Sequence, residues 1–376
     1  MLFSCNYRPM IRSVYVAATG QHVGKTTSTL GLVSALARAG IKVGYCKPVG
    51  QQFLDLGNLK VDKDALLFSK TMDFKLAENI HSPVILGKGA TAAYLDAPEK
   101  FDYAGRIRYA ADYLQQHYEM VVYEGTGHPG VGSVVNLSNA DVAKMLGASV
   151  IIVVEGGIGN TLDKLYLSLC PFRQLGVPVI GVIVNKVRPD KIDKVRYYLQ
   201  KKLKEMDLPL LGILPYDKRL SHPIMATIVH AVKGRVLANE QYLDNRVEGF
   251  LSGTLLEEEQ ITQVSNRLLV VSYKRLAEAL ERIRVITESI QLEYFPLSGI
   301  VITGDGVHEK PVVHSSVFEH YTSQYNIPVI TTPFDTLGAV IKISRIEVKI
   351  NTRTPWKVER AIELINEHVD LDVLLH

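Results

Sequence analysis

The sequence predicts an α/β fold: a mostly parallel sheet with helices on both faces, followed by a smaller α/β domain. Three observations predict it. Short Val- and Ile-rich runs recur between Ser13 and Pro215, mostly apolar on both faces, as in strands buried between two helical layers. Helix-like segments such as KTTSTLGLVSALARA, AGRIRYAADYLQQ and TLDKLYLSLCPFRQL separate them. That alternation implies parallel strands joined by right-handed crossovers. Finally, a Gly-Lys-Thr run stands between the first strand-like run and the first helix.

Taken in order, the strand-like runs are SVYVAA from Ser13, KVGYCK from Lys42, MVVYE from Met120, SVIIVVE from Ser149, PVIGVIVN from Pro178 and LLGILP from Leu210. Ser138 followed by Asp141 reads as a helix start, with the serine capping and the acid in the first turn. Near Arg219 the pattern turns polar and irregular. A second alternation follows: RLLVVS, YKRLAEALERI, GIVITGDG, VFEHYTSQY, IPVITT, DTLGAVIKI and a last helix, PWKVERAIELINEH. The expected domains are residues 1–219 and 220–376. No fixed-period repeat or low-complexity tract interrupts them.

With 376 residues, 47% hydrophobic and 22% charged, each half can bury its own core. A formal net charge of +3 gives no reason to expect nucleic acid or a membrane surface as partner. Cys5, Cys46 and Cys170 are too few and scattered for a disulfide framework or zinc site. No apolar run approaches the ~20 residues that span a bilayer, and MLFSCNYRPMIR lacks the apolar core of a secretory signal. The expectation is a cytoplasmic protein, with a homo-oligomer, by default a dimer, as its assembly.

The sharpest motif is TGQHVGKTT, comprising Thr19, Gly20, Gln21, His22, Val23, Gly24, Lys25, Thr26 and Thr27. It follows a strand and opens a helix, as a phosphate-binding loop must. Gly24 lets backbone N–H groups close on phosphate oxygens, Lys25 brings charge to the terminal phosphates, and the Thr26 hydroxyl can ligate Mg²⁺. The usual pattern starts with Gly, where this chain has Thr19. Glu124 ends the hydrophobic run MVVYE, as a Walker B carboxylate does. Mg²⁺ prefers oxygen ligands and keeps several waters. The Gly-rich GTGHPGVGS that follows can cradle an anion or serve as a lid, and His128 within it is read as a surface residue.

From these residues a resemblance follows. The stretch ATGQHVGKTTSTLGLVSALARAGIKVGYCKPVGQ resembles the N-terminal P-loop domain of long-form phosphate acetyltransferases, itself similar to dethiobiotin synthetase. The likeness continues through EGTGHPGVGSVVNLSNADVAKMLGASVIIVVEGGIGNTLDKL, VIGVIVNKVRPDK and LLGILPYDKRLSHP. It implies a catalytic, phosphate-facing role for Lys47, which precedes Pro48, beside that of Lys25. It further implies a magnesium carboxylate at Asp64, next to Ala65, completing a set with Thr26 and Glu124. Asp62 and Asp64 also read as helix-start acids. The resemblance implies a purine contact for Asn185, with Lys186 covering the base or solvated. Arg188 stands where a guanine-reading signature has Asp, which favours ATP over GTP.

The second half resembles the DRTGG domain of the same proteins, best at NIPVITTPFDTLGAVIKI. Its name-giving positions read Lys274-Arg275 and Thr303-Gly304-Asp305 here. Because the chain ends at His376, the resemblance does not extend to an acetyl-transferring domain, and acetyl transfer is not expected. The expected function is a Mg²⁺-dependent ATP-binding P-loop protein, a slow ATPase or metabolic regulator whose second domain senses a small-molecule metabolite or mediates assembly. The alternatives are an ATP-dependent ligase of the dethiobiotin synthetase type and a nucleotide-controlled protein-recruiting switch.

Overall fold

The computed structural model describes residues 11–55, 57, 59–252, 265–292, 295–304 and 324–375. They form two compact units: the chain up to Asp217 together with the segment from Ile350 onward, and Lys218–Lys349 between them.

The first unit is built on six parallel strands: β1 (Ser13–Ala18), β2 (Val43–Cys46), β3 (Met120–Glu124), β4 (Ser149–Glu155), β5 (Val179–Val187) and β6 (Leu210–Pro215). These are the six runs expected from sequence. Their order is β6-β5-β4-β1-β3-β2, and every pairing is parallel. Tyr15, Tyr123, Ile152 and Val184 point to one face and pack there with Ile107, Leu114, Leu165, Phe172 and Leu199 from helices Tyr103–His117, Gly159–Gln174 and Ile192–Glu205. Burying each such side chain contributes about 1.5–3 kcal/mol. Ser138 and Asp141 form the expected capping arrangement: Ser138 Oγ accepts from the Asp141 N–H, and the Asp141 carboxylate accepts from the Ser138 N–H.

One helix sits elsewhere than its place in sequence suggests. Pro355–His368, expected in the second domain, packs on the first unit against helix Lys25–Arg38. The two helices are so close that a Cβ on Gly31 would lie 2.2 Å from Ile365 Cγ1. Arg360 Nε donates to Asp217 Oδ2 at 2.5 Å, and the Asp370 N–H donates to the Leu211 carbonyl at 2.8 Å. The reason is apolar burial: Val358, Ala361, Leu364 and Ile365 form one buried stripe, and a stripe does not encode which partner it meets.

The second unit carries strands β7 (Arg235–Ala238), β8 (Gly249–Ser252), β9 (Arg267–Ser272), β10 (Leu297–Thr303) and β11 (Val329–Thr332), in the order β7-β11-β10-β9-β8. Only the β7–β11 pairing is antiparallel. Along β9, Leu269 and Val271 pack with Leu276, Leu280 and Ile283, while Leu268 and Val270 pack with Met225, Ile228 and Ile343. Both faces are therefore covered, which explains the continuous apolar run. The helix expected from Val317 lies mostly outside the described residues, as does Asp305. Among the described residues no helix is long and apolar enough to cross a membrane.

Candidate functional site

The loop Thr19–Thr27 leaves the C-terminal end of β1, which lies between β3 and β4. In open parallel sheets this end of the strands, where the connections diverge, is where ligands bind. Register places Val16 opposite Glu124 and Ala18 opposite Val153. Gly24 has φ 104° and caps helix Lys25–Arg38. A side chain there would be strained twice over, because its Cβ would also lie 1.8 Å from Asn185 Nδ2. Gln21 and His22 are exposed, and Val23 is buried. Thr19 Oγ1 is buried and has no hydrogen-bond partner among the described residues.

The charged groups of the site gather around Glu124. This residue is fully buried. Thr26 Oγ1 donates to its Oε1 at 2.8 Å, and Tyr45 OH donates to its Oε2 at 3.1 Å. Burial, and then the neighbouring Asp64, push the Glu124 carboxyl up to about 7, against the pull of Lys47, Lys25 and the Thr26 hydroxyl. Lys47 is buried and pairs with Asp64, and with Asp62 Oδ1 at 3.3 Å. Burial alone would lower its ammonium, but Asp64, Glu124 and Asp62 hold it above the ordinary lysine value. Asp62 plays the local part read for it, accepting from the Asp64 N–H at 2.9 Å to cap helix Lys63–Met72.

This donor set suits a hard divalent cation. It offers the Thr26 hydroxyl and the Glu124 carboxylate, oxygen donors of the kind such a cation prefers. Among the described residues no group of three His, Cys, Asp or Glu side chains could hold a metal unaided. Mg²⁺ typically uses one or two carboxylates plus phosphate oxygens. The structure brings Thr26 and Glu124 together, whereas Asp64 is engaged with Lys47.

A network that sequence reasoning missed holds the Gly-rich loop after β3. The buried Asn139 amide accepts from Tyr15 OH at 2.7 Å and from the Thr126 N–H at 3.0 Å. It donates to the carbonyls of Thr126 at 2.8 Å and His128 at 2.6 Å. The loop is thereby pinned where the Gly127 carbonyl accepts from Lys25 Nζ at 3.4 Å. His128 is exposed, and its Nδ1 accepts from the Gly130 N–H at 3.2 Å. Nothing in LSNAD marks Asn139 as more than a helix-start residue. Tyr45 likewise reads as a core aromatic, stacked on Phe68 with centroids 3.6 Å apart.

Asn185 is buried at the end of β5, and both ends of its amide are engaged within the protein. Nδ2 donates to the Val23 carbonyl at 2.8 Å, and Oδ1 accepts from the Lys186 N–H at 2.8 Å. Lys186, with φ 61°, sends Nζ to the His22 carbonyl at 2.5 Å and to Glu155 Oε1 at 3.1 Å. Arg188 is turned to Asp190, with bonds of 3.0 and 2.9 Å.

A parallel sheet with β1 at its centre, a Gly-Lys-Thr loop at that strand's end and an acid ending the adjacent strand define a P-loop NTPase-type nucleotide-binding fold. The chain belongs to the AAA domain family AAA_26, whose family model matches residues 12–224. It is 24% identical over 380 residues to a phosphate acetyltransferase of Nitrosomonas europaea, covering 97% of this chain and 51% of that protein. It is 26% identical over 220 residues to the ATP-dependent dethiobiotin synthetase BioD of Thermodesulfovibrio yellowstonii, covering 55% of this chain and 90% of that protein. The chain thus spans about half the length of the phosphate acetyltransferases it matches. Among solved structures, the MinD cell division protein of Aquifex aeolicus aligns over 56% of this chain and 84% of its own, at 13% identity and a TM-score of 0.36.

Proposed function

We propose that this chain is a Mg²⁺-dependent ATP-binding protein whose second unit tunes nucleotide occupancy or turnover in response to a metabolite or to assembly. The observation that carries the nucleotide reading is the Thr26–Glu124 hydrogen bond. It brings a loop hydroxyl and a buried acid together beside Lys25 and Lys47, the juxtaposition that Mg²⁺-phosphate binding needs. When bound, the metal would neutralise charge on the terminal phosphates. Lys25 and Lys47 supply further positive charge, and Asp64 holds Lys47 in place. ATP is favoured over GTP because the position of a guanine-reading carboxylate is occupied by Arg188, itself turned toward Asp190.

The test is calorimetric titration of the full chain with ATP and GTP, with and without Mg²⁺, followed by turnover assays across a panel of metabolites. Mg²⁺-dependent ATP binding with metabolite-sensitive turnover is the expected result. Absence of ATP binding would overturn the reading. A ligase is the second reading, favoured by the match to an ATP-dependent dethiobiotin synthetase over 90% of that protein's length. Formation of dethiobiotin from its diamine, carbon dioxide and ATP would establish it instead.

A further inference from the structure

Lys274-Arg275 and Thr303-Gly304, which the nucleotide site does not use, lie at the C-terminal ends of neighbouring parallel strands in the second unit. Register sets Ser272, the last residue of β9, beside Thr303, the last of β10, and Thr303 beside Thr332, the last of β11. Neighbouring strands run about 4.8 Å apart, so three hydroxyl side chains form one row. Alternation along the strands puts that row on the same face as Leu268, Val270, Val301 and Ile330. This end of an open parallel sheet is where ligands bind.

The three hydroxyls are not equally engaged. Thr332 is satisfied within the protein: its Oγ1 donates to the Val232 carbonyl at 2.6 Å and accepts from the Phe334 N–H at 3.3 Å. Ser272 Oγ makes no hydrogen bond among the described residues. Thr303 is 1% exposed, and its Oγ1 lies 2.8 Å from Thr336 Oγ1. One bond between two hydroxyls uses one of their two protons. Whichever residue donates, the other's proton has no acceptor among the described residues. A donor left without an acceptor in so buried a place is costly, and a ligand oxygen would satisfy it. The ends of β10 and β11 are held together here, because the Gly304 N–H donates to the Phe334 carbonyl at 3.1 Å.

Charge at these strand ends favours an anion. Lys274 and Arg275 follow Ser272 and are exposed. Asp335, the acid next to Thr336, accepts from the Gly338 N–H at 2.6 Å and caps its own helix. We propose that the ends of β9 and β10 bind the phosphoryl group of a small metabolite, with Ser272 and the Thr303–Thr336 pair donating to its oxygens and Lys274 and Arg275 offsetting its charge. A phosphoryl group brings up to two negative charges and three acceptor oxygens, which suits two cations and two spare hydroxyl protons better than a carboxylate does. The site is built wholly from residues of the second unit, so it does not depend on what the phosphate loop binds. It gives the metabolite response proposed above a place and a chemistry.

The experiment titrates the full chain with inorganic phosphate and with acetate, in wild type and in Lys25→Ala, which weakens any phosphate binding at the loop. Phosphate should still bind to Lys25→Ala, more tightly than acetate, and should slow amide exchange around Ser272–Arg275. Adding Ser272→Ala or Thr303→Val should weaken that binding about 10-fold or more, as loss of a hydrogen bond to a charged group predicts. Either change alone should leave Mg²⁺-ATP affinity as in wild type. Should Thr303→Val fail to fold, Ser272→Ala carries the test, since its hydroxyl has no bond within the described residues to lose. Phosphate binding that disappears with Lys25→Ala alone, or that Ser272→Ala leaves unchanged, would overturn the site. Acetate binding as tightly as phosphate would overturn the phosphoryl assignment. A wild type that binds phosphate here but no ATP would overturn the nucleotide reading and leave this one standing.

Discussion

Thr26 Oγ1 donates to Glu124 Oε1 at 2.8 Å across 98 residues of chain, joining the first turn of the loop helix to the end of the adjacent strand. The second oxygen of Glu124 is held by Tyr45 OH at 3.1 Å. Under the proposed function this fully buried carboxylate, with its two neutral donors, takes the cation.

Under the proposed function, Lys25→Ala removes a charged contact to the terminal phosphates. Hydrogen bonds to charged groups contribute about 1.5–3 kcal/mol, so ATP binding should weaken roughly 10- to 150-fold. Equal affinities for variant and wild type in a calorimetric titration would take Lys25 out of the site.

Glu124→Gln keeps the shape but sets an NH₂ group against either Thr26 or Tyr45, costing about 1 kcal/mol. Loss of the buried charge offsets this, so melting should shift little while the Mg²⁺ dependence of ATP binding weakens. The same change alters pH behaviour. The folded carboxyl sits at about 7 against an ordinary 4.5, so between those values the folded state holds a proton that the unfolded state has released. Stability of the ligand-free protein should fall as pH rises through that window, by on the order of 3 kcal/mol, and stay level above it. Urea melts of Glu124→Gln should lack this slope; an identical slope in both proteins would mean another group carries it.

Lys357 gives the opposite trend in a different window. It is 0% exposed, and burial lowers its ammonium to about 7 from 10.5. Between these values the unfolded state binds the extra proton, so stability should rise with pH, by on the order of 5 kcal/mol. Lys357→Met should lack this rise. An identical slope in variant and wild type would mean that another group carries it.

The terminal helix should be indispensable to the first unit. Gly31→Val would drive side-chain atoms into Ile365, which a Cβ alone already approaches to 2.2 Å. Overpacking of this kind costs about 1–3 kcal/mol. A chain ending at Arg219 leaves the surface under Ile365 and Leu364 bare, and should melt lower or aggregate. Joining residues 350–376 to it through a flexible linker should restore cooperative melting. A fully stable 1–219 fragment would show the helix to be an accessory.

What the sequence determined by itself was local chemistry with a rigid spacing. All six strands of the first sheet were legible because strands buried on both faces need unbroken Val and Ile runs. The loop Thr19–Thr27 was legible because phosphate binding requires Gly24, Lys25 and Thr26 as neighbours in the chain. The place of Glu124 at the end of β3 was legible because a hydrophobic strand ending in an acid is itself a short-range signal. Only the tertiary structure decided the rest, since those contacts join residues with no fixed separation. Asn139 reaches Tyr15, which is 124 residues away, and Asn185 reaches Val23 across 162. Helix Pro355–His368 carries an apolar stripe that would suit any core, and its place against Gly31 was set by which surface the folded chain left uncovered. A side-chain amide or an apolar stripe states what kind of partner it needs; packing alone selects which one it meets.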